Sequence, residues 1–177
     1  MFPSRQPFFV DETKSRGFAF AVATLPQSEL RTARMELRSL CASGQRSLHF
    51  KHESPRKRRS ILAVIARQGW RAAILQSRQS NMRLARTECL YATITLAHKS
   101  NAPAVILELD TSVERYDRQD LFEHCRHIGM DESFRYDLRP RHSEPGLWVA
   151  DAVAWCFARG GPWRRQIGSL LVAVQET

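Results

Sequence analysis

Hydrophobic and polar positions follow two periods along this 177-residue chain, and each change of period separates a strand from a helix. Two apolar runs, 8–11 and 18–25, are rich in aromatic and β-branched residues. The polar link between them contains Gly17, which favours a hairpin. Ser28 then begins a segment with apolar residues at helical spacing as far as Gly44. The first quarter of the chain therefore predicts two antiparallel strands followed by a helix.

The remainder predicts helices and strands in alternation. In chain order these are a helix over 55–68, a strand over 70–77, a helix over 82–98, a strand centred on 104–107, a helix over 113–129, a strand over 133–140 and a helix over 144–161. The run Ala104–Leu107 is apolar without alternation, as in a central strand covered on both faces. The final apolar stretch, 167–174, fits either a short strand or a packing segment.

This order of elements predicts an α/β fold with a mixed five-stranded sheet, an N-terminal antiparallel hairpin and helices on both faces. The chain length suits one domain over residues 1–177. The helical segments between the second and third strands, at about 28–69, then form an insertion.

Charge and cysteine content narrow the functional class. Lys and Arg number 27 against 18 Asp and Glu, a formal charge of +9, which favours nucleic acid or an anionic membrane surface as a partner. A basic protein with no such partner stays an alternative. The four cysteines form no CxxC pair and are expected to be reduced, as in a cytoplasmic protein. The N-terminus has no signal-peptide core, and no apolar run approaches the ~20 residues that span a bilayer, so neither a signal peptide nor a membrane span is expected. Nucleic acid, and not a membrane, is the expected partner.

Carboxylates stand where the predicted strands end. Asp11 and Glu12 close the first strand, while Glu108 and Asp110 end the fourth and share a face because side chains alternate along a strand. Asp151 lies inside an apolar helix, where a carboxylate is costly to bury unless it is paired, hydrogen-bonded or bound to a metal. Mg²⁺ binds carboxylate oxygens, and such ions can promote phosphodiester displacement. Carboxylates gathered from these elements would therefore form a hydrolytic metal site.

Each carboxylate also has an ordinary structural explanation. Asp11 suits a hairpin turn, Asp110 suits a turn before a helix, and Glu108 suits a charge pair within the sheet. Asp151 could form a salt bridge with an arginine of the segment "LRPRH", 138–142. Strand alternation directs Glu12 to the face opposite Asp11, which makes Glu12 the less certain site residue.

The polar segment between the first two helices offers further candidates. His49 and His52 lie beside Glu53, but no further residues complete a zinc site. His49 fits a role in proton transfer or phosphate contact, or that of a solvated loop residue. The following helix opens with a basic run for which phosphate contact and plain solvation are the alternatives. Its members are Arg56, Lys57, Arg58 and Arg59.

Four short motifs resemble a known family when their order is considered. They are "DET" at 11–13, "SLHF" at 47–50, "ELD" at 108–110 and "LWVAD" at 147–151. Together with the order of elements they resemble the ribonuclease H-like superfamily, and within it the family called domain of unknown function 3800. The sequence departs from that family at Thr13, which replaces Ser, at Ser47, which replaces an acidic residue, and at Trp148, which replaces a polar residue.

The resemblance implies a metal-dependent nuclease site that acts on RNA or DNA with Mg²⁺ or Mn²⁺. It implies Asp11 and Asp110 as primary metal ligands and Asp151 as the ligand from the helix. Glu12 or Glu108 would add a ligand or orient water, and Glu88 is a weaker candidate on the preceding helix. A nucleic-acid-binding domain without turnover, and a domain that binds a protein partner, are the alternatives.

Overall fold

The computed structural model describes residues 2–15, 17–130 and 133–177, so Arg16 of the predicted hairpin link lies outside the described residues. The strands are β1 (Phe8–Thr13), β2 (Phe18–Thr24), β3 (Arg71–Ser77), β4 (Ala104–Glu108), β5 (Arg135–Arg139) and β6 (Leu171–Glu176). The α-helices are α1 (Leu30–Ser39), α2 (Pro55–Arg67), α3 (Met82–Lys99), α4 (Glu114–His127), α5 (Pro145–Arg159) and α6 (Gly161–Gln166). Two 3₁₀ turns cover Phe50–His52 and Arg141–Ser143.

The strands form one mixed sheet in the order β5-β4-β1-β2-β3-β6. β1, β2 and β3 pair antiparallel, whereas β4 joins β1 in parallel and β5 joins β4 in parallel. The prediction of a mixed α/β sheet led by an antiparallel hairpin is confirmed. α1 and α2 lie between β2 and β3, where the sequence predicted helices.

The predicted count of five strands was wrong, because the C-terminal stretch forms a sixth. β6 pairs in parallel with β3 and supplies partners for the backbone groups along the outer edge of β3. Its residues are partly or fully exposed, as is common for an edge strand. The sequence could not identify this strand, because a short, half-exposed apolar run has no periodicity by which to distinguish a strand from an irregular packed segment.

Helices cover both faces of the sheet, as the burial of β1 makes clear. Phe9 belongs to the core beneath α1, α2 and α5, whereas Phe8 and Val10 belong to the core beneath α3 and α4. All three are at most 1% exposed. β1 is therefore a central strand with apolar side chains on both faces, and its alternation continues into the carboxylates at its end.

Local sequence signals fix the helix ends around the site. The Ser54 hydroxyl accepts a hydrogen bond from Lys57 N–H at 3.2 Å and caps α2. Asn81 Oδ1 accepts one from Arg83 N–H at 2.9 Å and caps α3. α5 ends at Arg159 and is followed by Gly160, whose φ of 70° lies in the left-handed region that favours glycine.

The thiols are free and those of Cys89 and Cys156 are buried. Burial raises the pKa of Cys89 to about 11 and that of Cys156 to about 12, so both act as small apolar side chains at neutral pH. Among the described helices, none combines the length and the apolar content that a membrane span needs.

Candidate active site

The register of two parallel strands brings Asp11 and Glu108 together. Val10 of β1 is paired with Leu107 of β4. The residues that follow them, Asp11 and Glu108, therefore lie side by side near the carboxyl ends of the two strands. Phe9 and Ile106, two residues earlier on each strand, belong to the core beneath α5. Alternation therefore directs both carboxylates toward the α5 face of the sheet.

Asp151 reaches the same place from α5. Its Oδ2 accepts a hydrogen bond from Phe50 N–H at 2.8 Å and lies 3.3 Å from His49 Nδ1. The residue is 8% exposed, as is Asp11. The Phe50–His52 turn thus fixes the orientation of the Asp151 carboxylate within an otherwise apolar helix.

Arg141 joins the three carboxylates. Its Nη2 donates to Glu108 Oε1 at 2.8 Å and to Asp11 Oδ2 at 3.4 Å, and its Nη1 donates to Asp151 Oδ2. Its Nε also donates to Glu108 Oε1, at 3.1 Å. The guanidinium therefore lies at the point where carboxylates from β1, β4 and α5 converge. We call Asp11, Glu108 and Asp151 the carboxylate cluster.

The surroundings of the three carboxylates shift their pKa values in different directions. Burial, together with the charges of Glu108 and Asp151, holds the pKa of Asp11 well above its usual range. Burial also raises the pKa of Glu108, against the opposing effect of Arg141. For Asp151, burial acts upward, but hydrogen bonds from His49 and Phe50 and the charge of Arg141 prevail, so its pKa is lowered. Asp151 is thus the most readily ionised member.

The donor chemistry of the carboxylate cluster fits a divalent cation. One guanidinium offsets only part of the charge of three carboxylates, and Glu108 Oε2 is the one buried side-chain oxygen in the described residues without a hydrogen-bond partner. The cluster opens into a cavity of about 570 Å³. Within the described ranges, no three His, Cys, Asp or Glu side chains are already arranged as metal ligands. The guanidinium of Arg141 occupies the point between the three carboxylates where a metal ion would bind.

Asp110 and Glu12 line the same cavity but have other partners. Asp110 Oδ1 accepts from the Ser112 hydroxyl at 2.6 Å, and its Oδ2 lies 3.8 Å from Lys14 Nζ. The Ser112 hydrogen bonds, followed by the charge of Lys14, outweigh partial burial and lower the pKa of Asp110. β4 ends at Glu108, so strand alternation does not extend to Asp110.

Glu12 faces the opposite side of the sheet from Asp11. Its carboxylate binds the buried Arg86 guanidinium and lies 2.6 Å from Lys14 Nζ. Arg86 in turn donates to both oxygens of the fully buried Asp117 on α4, each at 2.7 Å. Glu12 therefore belongs to an ion-pair network that joins β1 to α3 and α4. Glu88 lies apart, bonded to Ser77 at 2.6 Å.

Of the two histidines in the predicted loop, His49 lines the cavity. The rings of His49 and His52 contact each other at a tilt of 51°, with centroids 4.4 Å apart. Glu53 accepts a hydrogen bond from Gln45 at 2.7 Å rather than facing these rings. The side chain of His49 is 38% exposed, so it is only partly shielded from solvent.

The basic run at the start of α2 divides into two pairs. Arg56 and Arg59 are exposed. Lys57 donates to the carbonyl of Leu40, and Arg58 Nε donates to the carbonyl of Phe50 at 2.8 Å. The Arg58 guanidinium also stacks on Trp155, 4.3 Å from the ring centroid. Arg58 and Lys57 thus contact the protein itself, and Arg58 secures the turn that orients Asp151.

The ion pair between Asp151 and an arginine of the segment 138–142, which the sequence offered as an alternative to a metal site, is formed by Arg141. The sequence did not indicate that the same guanidinium binds Asp11 and Glu108. Those contacts depend on how β1, β4 and the Arg141–Ser143 turn meet in space. The one available signal was the density of arginine just before the helix that carries Asp151.

Comparison with known proteins identifies the fold. No family model matches the chain, and no match is found among curated proteins. The chain is similar to RNase HII in the structure of the PCNA:RNase HII complex from Archaeoglobus fulgidus, with a TM-score of 0.59 and 13% sequence identity. The match covers 87% of this chain and 73% of that chain. The resemblance to the family called domain of unknown function 3800 stays a prediction, whereas the predicted ribonuclease H-like fold is confirmed.

Proposed function

We propose that this protein is a metal-dependent nuclease that hydrolyses phosphodiester bonds of RNA or DNA at the carboxylate cluster. The observation that carries the proposal is the convergence of Asp11, Glu108 and Asp151, from three separate elements, on one point beside an open cavity. The ribonuclease H-like fold and the motifs that resemble the domain of unknown function 3800 support the same assignment.

Mg²⁺ or Mn²⁺ is the proposed cofactor, because both prefer carboxylate oxygens. Asp11, Glu108 and Asp151 would hold it, and Asp110 stays a candidate for an outer ligand at the cavity rim. A bound ion of this kind supplies Lewis-acid polarisation of the phosphate and a more acidic water molecule. Burial, followed by the charges of Glu108 and Asp151, raises the pKa of Asp11, and a bound divalent cation would favour its ionised form.

Other groups of the cavity would bind and orient the substrate. His49 is held by Asp151 through Nδ1, and Nε2 would exchange a proton with water or with the leaving oxygen. Lys14 and Lys51 line the cavity and would contact phosphate oxygens. Arg56 and Arg59, exposed on α2, would contact phosphates farther along the strand.

The test is cleavage of labelled RNA and DNA by the purified protein with and without Mn²⁺. Asp11→Asn and Asp151→Asn should abolish cleavage, because each removes a carboxylate from the cluster. Asp137→Asn is the matched control, since Asp137 on β5 is half-buried, lies outside the carboxylate cluster and pairs with Arg139. Metal-dependent cleavage that persists in both cluster variants would contradict the assignment.

A second candidate function is nucleic-acid binding without hydrolysis. The position of Arg141 favours it, because a guanidinium already neutralises part of the carboxylate cluster. This function predicts salt-sensitive binding of RNA or DNA and no cleavage with any divalent cation. Replacement of the exposed Arg56 and Arg59 by Ala would then weaken binding and reduce its salt dependence.

A further inference from the structure

Within the described part of the chain, Arg141 is the one cation that contacts every member of the carboxylate cluster. Hydrogen bonds from its three guanidinium nitrogens reach Asp11, Glu108 and Asp151. Its side chain is 18% exposed, so these contacts are largely shielded from water. Without a cation at this point, three carboxylates in a poorly solvated space would repel one another. Arg141 therefore stabilises the cluster as it stands.

The attachment of Arg141 allows its side chain to move while its backbone stays in place. The residue begins the Arg141–Ser143 turn between β5 and α5, and its carbonyl accepts a hydrogen bond from the buried Trp148 Nε1 at 2.7 Å. The guanidinium itself borders the cavity of about 570 Å³. A rotation about side-chain bonds would carry it from the cluster into open space without disturbing the core.

A metal ion and this guanidinium cannot occupy the same point. A divalent cation offers twice the charge at a smaller radius, and the unpartnered Glu108 Oε2 supplies a further ligand atom that Arg141 leaves unused. We propose that Arg141 is an internal competitor of the metal, which holds the carboxylate cluster together when no metal is bound and moves into the cavity when metal binds. This inference rests on the proposed metal-dependent function and goes beyond it.

The competition has a measurable consequence for metal affinity. The apparent dissociation constant is the intrinsic one divided by the fraction of molecules whose cluster is free of Arg141. Arg141→Gln removes the competing charge and should bind Mn²⁺ about tenfold or more tightly than the wild type. Arg141→Lys keeps a cation of similar reach and should bind within a few-fold of the wild type. Isothermal titration calorimetry and the electron paramagnetic resonance signal of free Mn²⁺ measure both.

Thermal unfolding gives a readout that does not depend on activity. Metal-free Arg141→Gln should unfold at a lower temperature than the wild type, because its carboxylates lack a counter-charge. Saturating Mn²⁺ should raise its unfolding temperature by more than it raises that of the wild type. An Arg141→Gln variant that binds Mn²⁺ no more tightly than the wild type would overturn the inference.

Nuclear magnetic resonance tests the displacement in the wild-type protein, which also covers the case of a variant that does not fold. The Arg141 Nε–H signal, assigned by its absence in Arg141→Lys, should move toward that of a solvent-exposed arginine as diamagnetic Mg²⁺ is added. Arg86, whose Nε donates to Asp117 at 2.7 Å, is the internal reference and should not move.

The outcomes separate the inference from the proposed function. Metal-dependent cleavage with a stationary Arg141 signal would overturn the inference and leave the nuclease assignment in place. An absence of Mn²⁺ and Mg²⁺ binding in both the wild type and Arg141→Gln would overturn both. Tighter binding by Arg141→Gln without cleavage of RNA or DNA would support the inference and refute hydrolysis.

Discussion

Gly146 lies in the first turn of α5 against the ring of Phe9 on β1, and Gly146→Ala tests whether this contact sets the geometry of the site. A Cβ at residue 146 would lie within 2.7 Å of three ring carbons of Phe9. Nonbonded carbons ordinarily stay about 3.5–4.0 Å apart, so strand and helix would have to separate by roughly 1 Å. Phe9 is fully buried and cannot turn away into solvent.

The expected loss of stability follows from two opposing effects. Overpacking of a filled core costs about 1–3 kcal/mol, while replacing glycine by alanine in a helix recovers at most ~1 kcal/mol. A net loss of about 1–2 kcal/mol should lower the unfolding temperature by roughly 2–8 °C in a chain of this size. Thermal unfolding followed by circular dichroism measures this change.

The same substitution should reduce activity more than its effect on folding explains. Asp151 is on α5 and Asp11 is on β1, so a shift of about 1 Å between these elements alters the spacing of the carboxylate cluster. Misplacement on that scale is expected to lower the cleavage rate about 100-fold at a temperature where the variant stays folded.

Phe9→Leu with Gly146→Ala is the matched control. A smaller side chain at residue 9 makes room for the new methyl group, so the double variant should be more stable than the sum of the two single changes indicates. Should Gly146→Ala unfold at or above the wild-type temperature and cleave at the wild-type rate, the argument from close packing would be refuted.

Asp11→Asn should raise the unfolding temperature of the metal-free protein at neutral pH by about 2–4 °C, equivalent to ~1 kcal/mol. Burial and the neighbouring carboxylates raise the pKa of Asp11 in the folded state, so the folded protein binds more protons than the unfolded chain and loses stability as pH rises from about 4 through that raised pKa. The loss of stability with rising pH should be smaller in Asp11→Asn than in the wild type, and thermal unfolding measured across that pH range tests this. Trp148→Phe removes the N–H donor to the carbonyl of Arg141 and should lower the free energy of unfolding by about 1–3 kcal/mol in urea titrations; no change would mean that water replaces the donor. Asp117→Asn leaves the buried Arg86 without a full counter-charge and should lower the free energy of unfolding by about 3–5 kcal/mol by the same method, and a loss below 1 kcal/mol would argue against the network.

Patterns of neighbouring residues in the sequence predicted those features that depend on a single strand or helix. Alternation along β1 separated Asp11 from Glu12, and the apolar surroundings of Asp151 marked it as a carboxylate that needs a partner. The structure brings Glu108, and not Asp110, into contact with Arg141. Strand alternation could not predict this, because β4 ends at Glu108 and alternation applies only within the strand. The hydroxyl of Ser112 then draws Asp110 into a turn.

Features that depend on distant segments could not be predicted. Arg58 is adjacent in space to Phe50 and Trp155, and no local pattern shows that aromatic residues about a hundred positions apart form one surface. The edge strand β6 depends on the open side of β3, which becomes defined only when the sheet has formed. Arg141 reaches its position through the packing of β4, β5 and α5.

The adjacent acids of β1 also specify how the strand is aligned. Because β1 is buried on both faces, a slip of one position would reverse the two faces and still leave apolar residues in the core. Such a slip would remove Asp11 from Arg141 and Glu12 from Arg86, leaving two largely buried guanidiniums short of a counter-charge. Asp11 and Glu12 thus add their ion pairs to the close packing of Phe9 against Gly146 in selecting one alignment of β1.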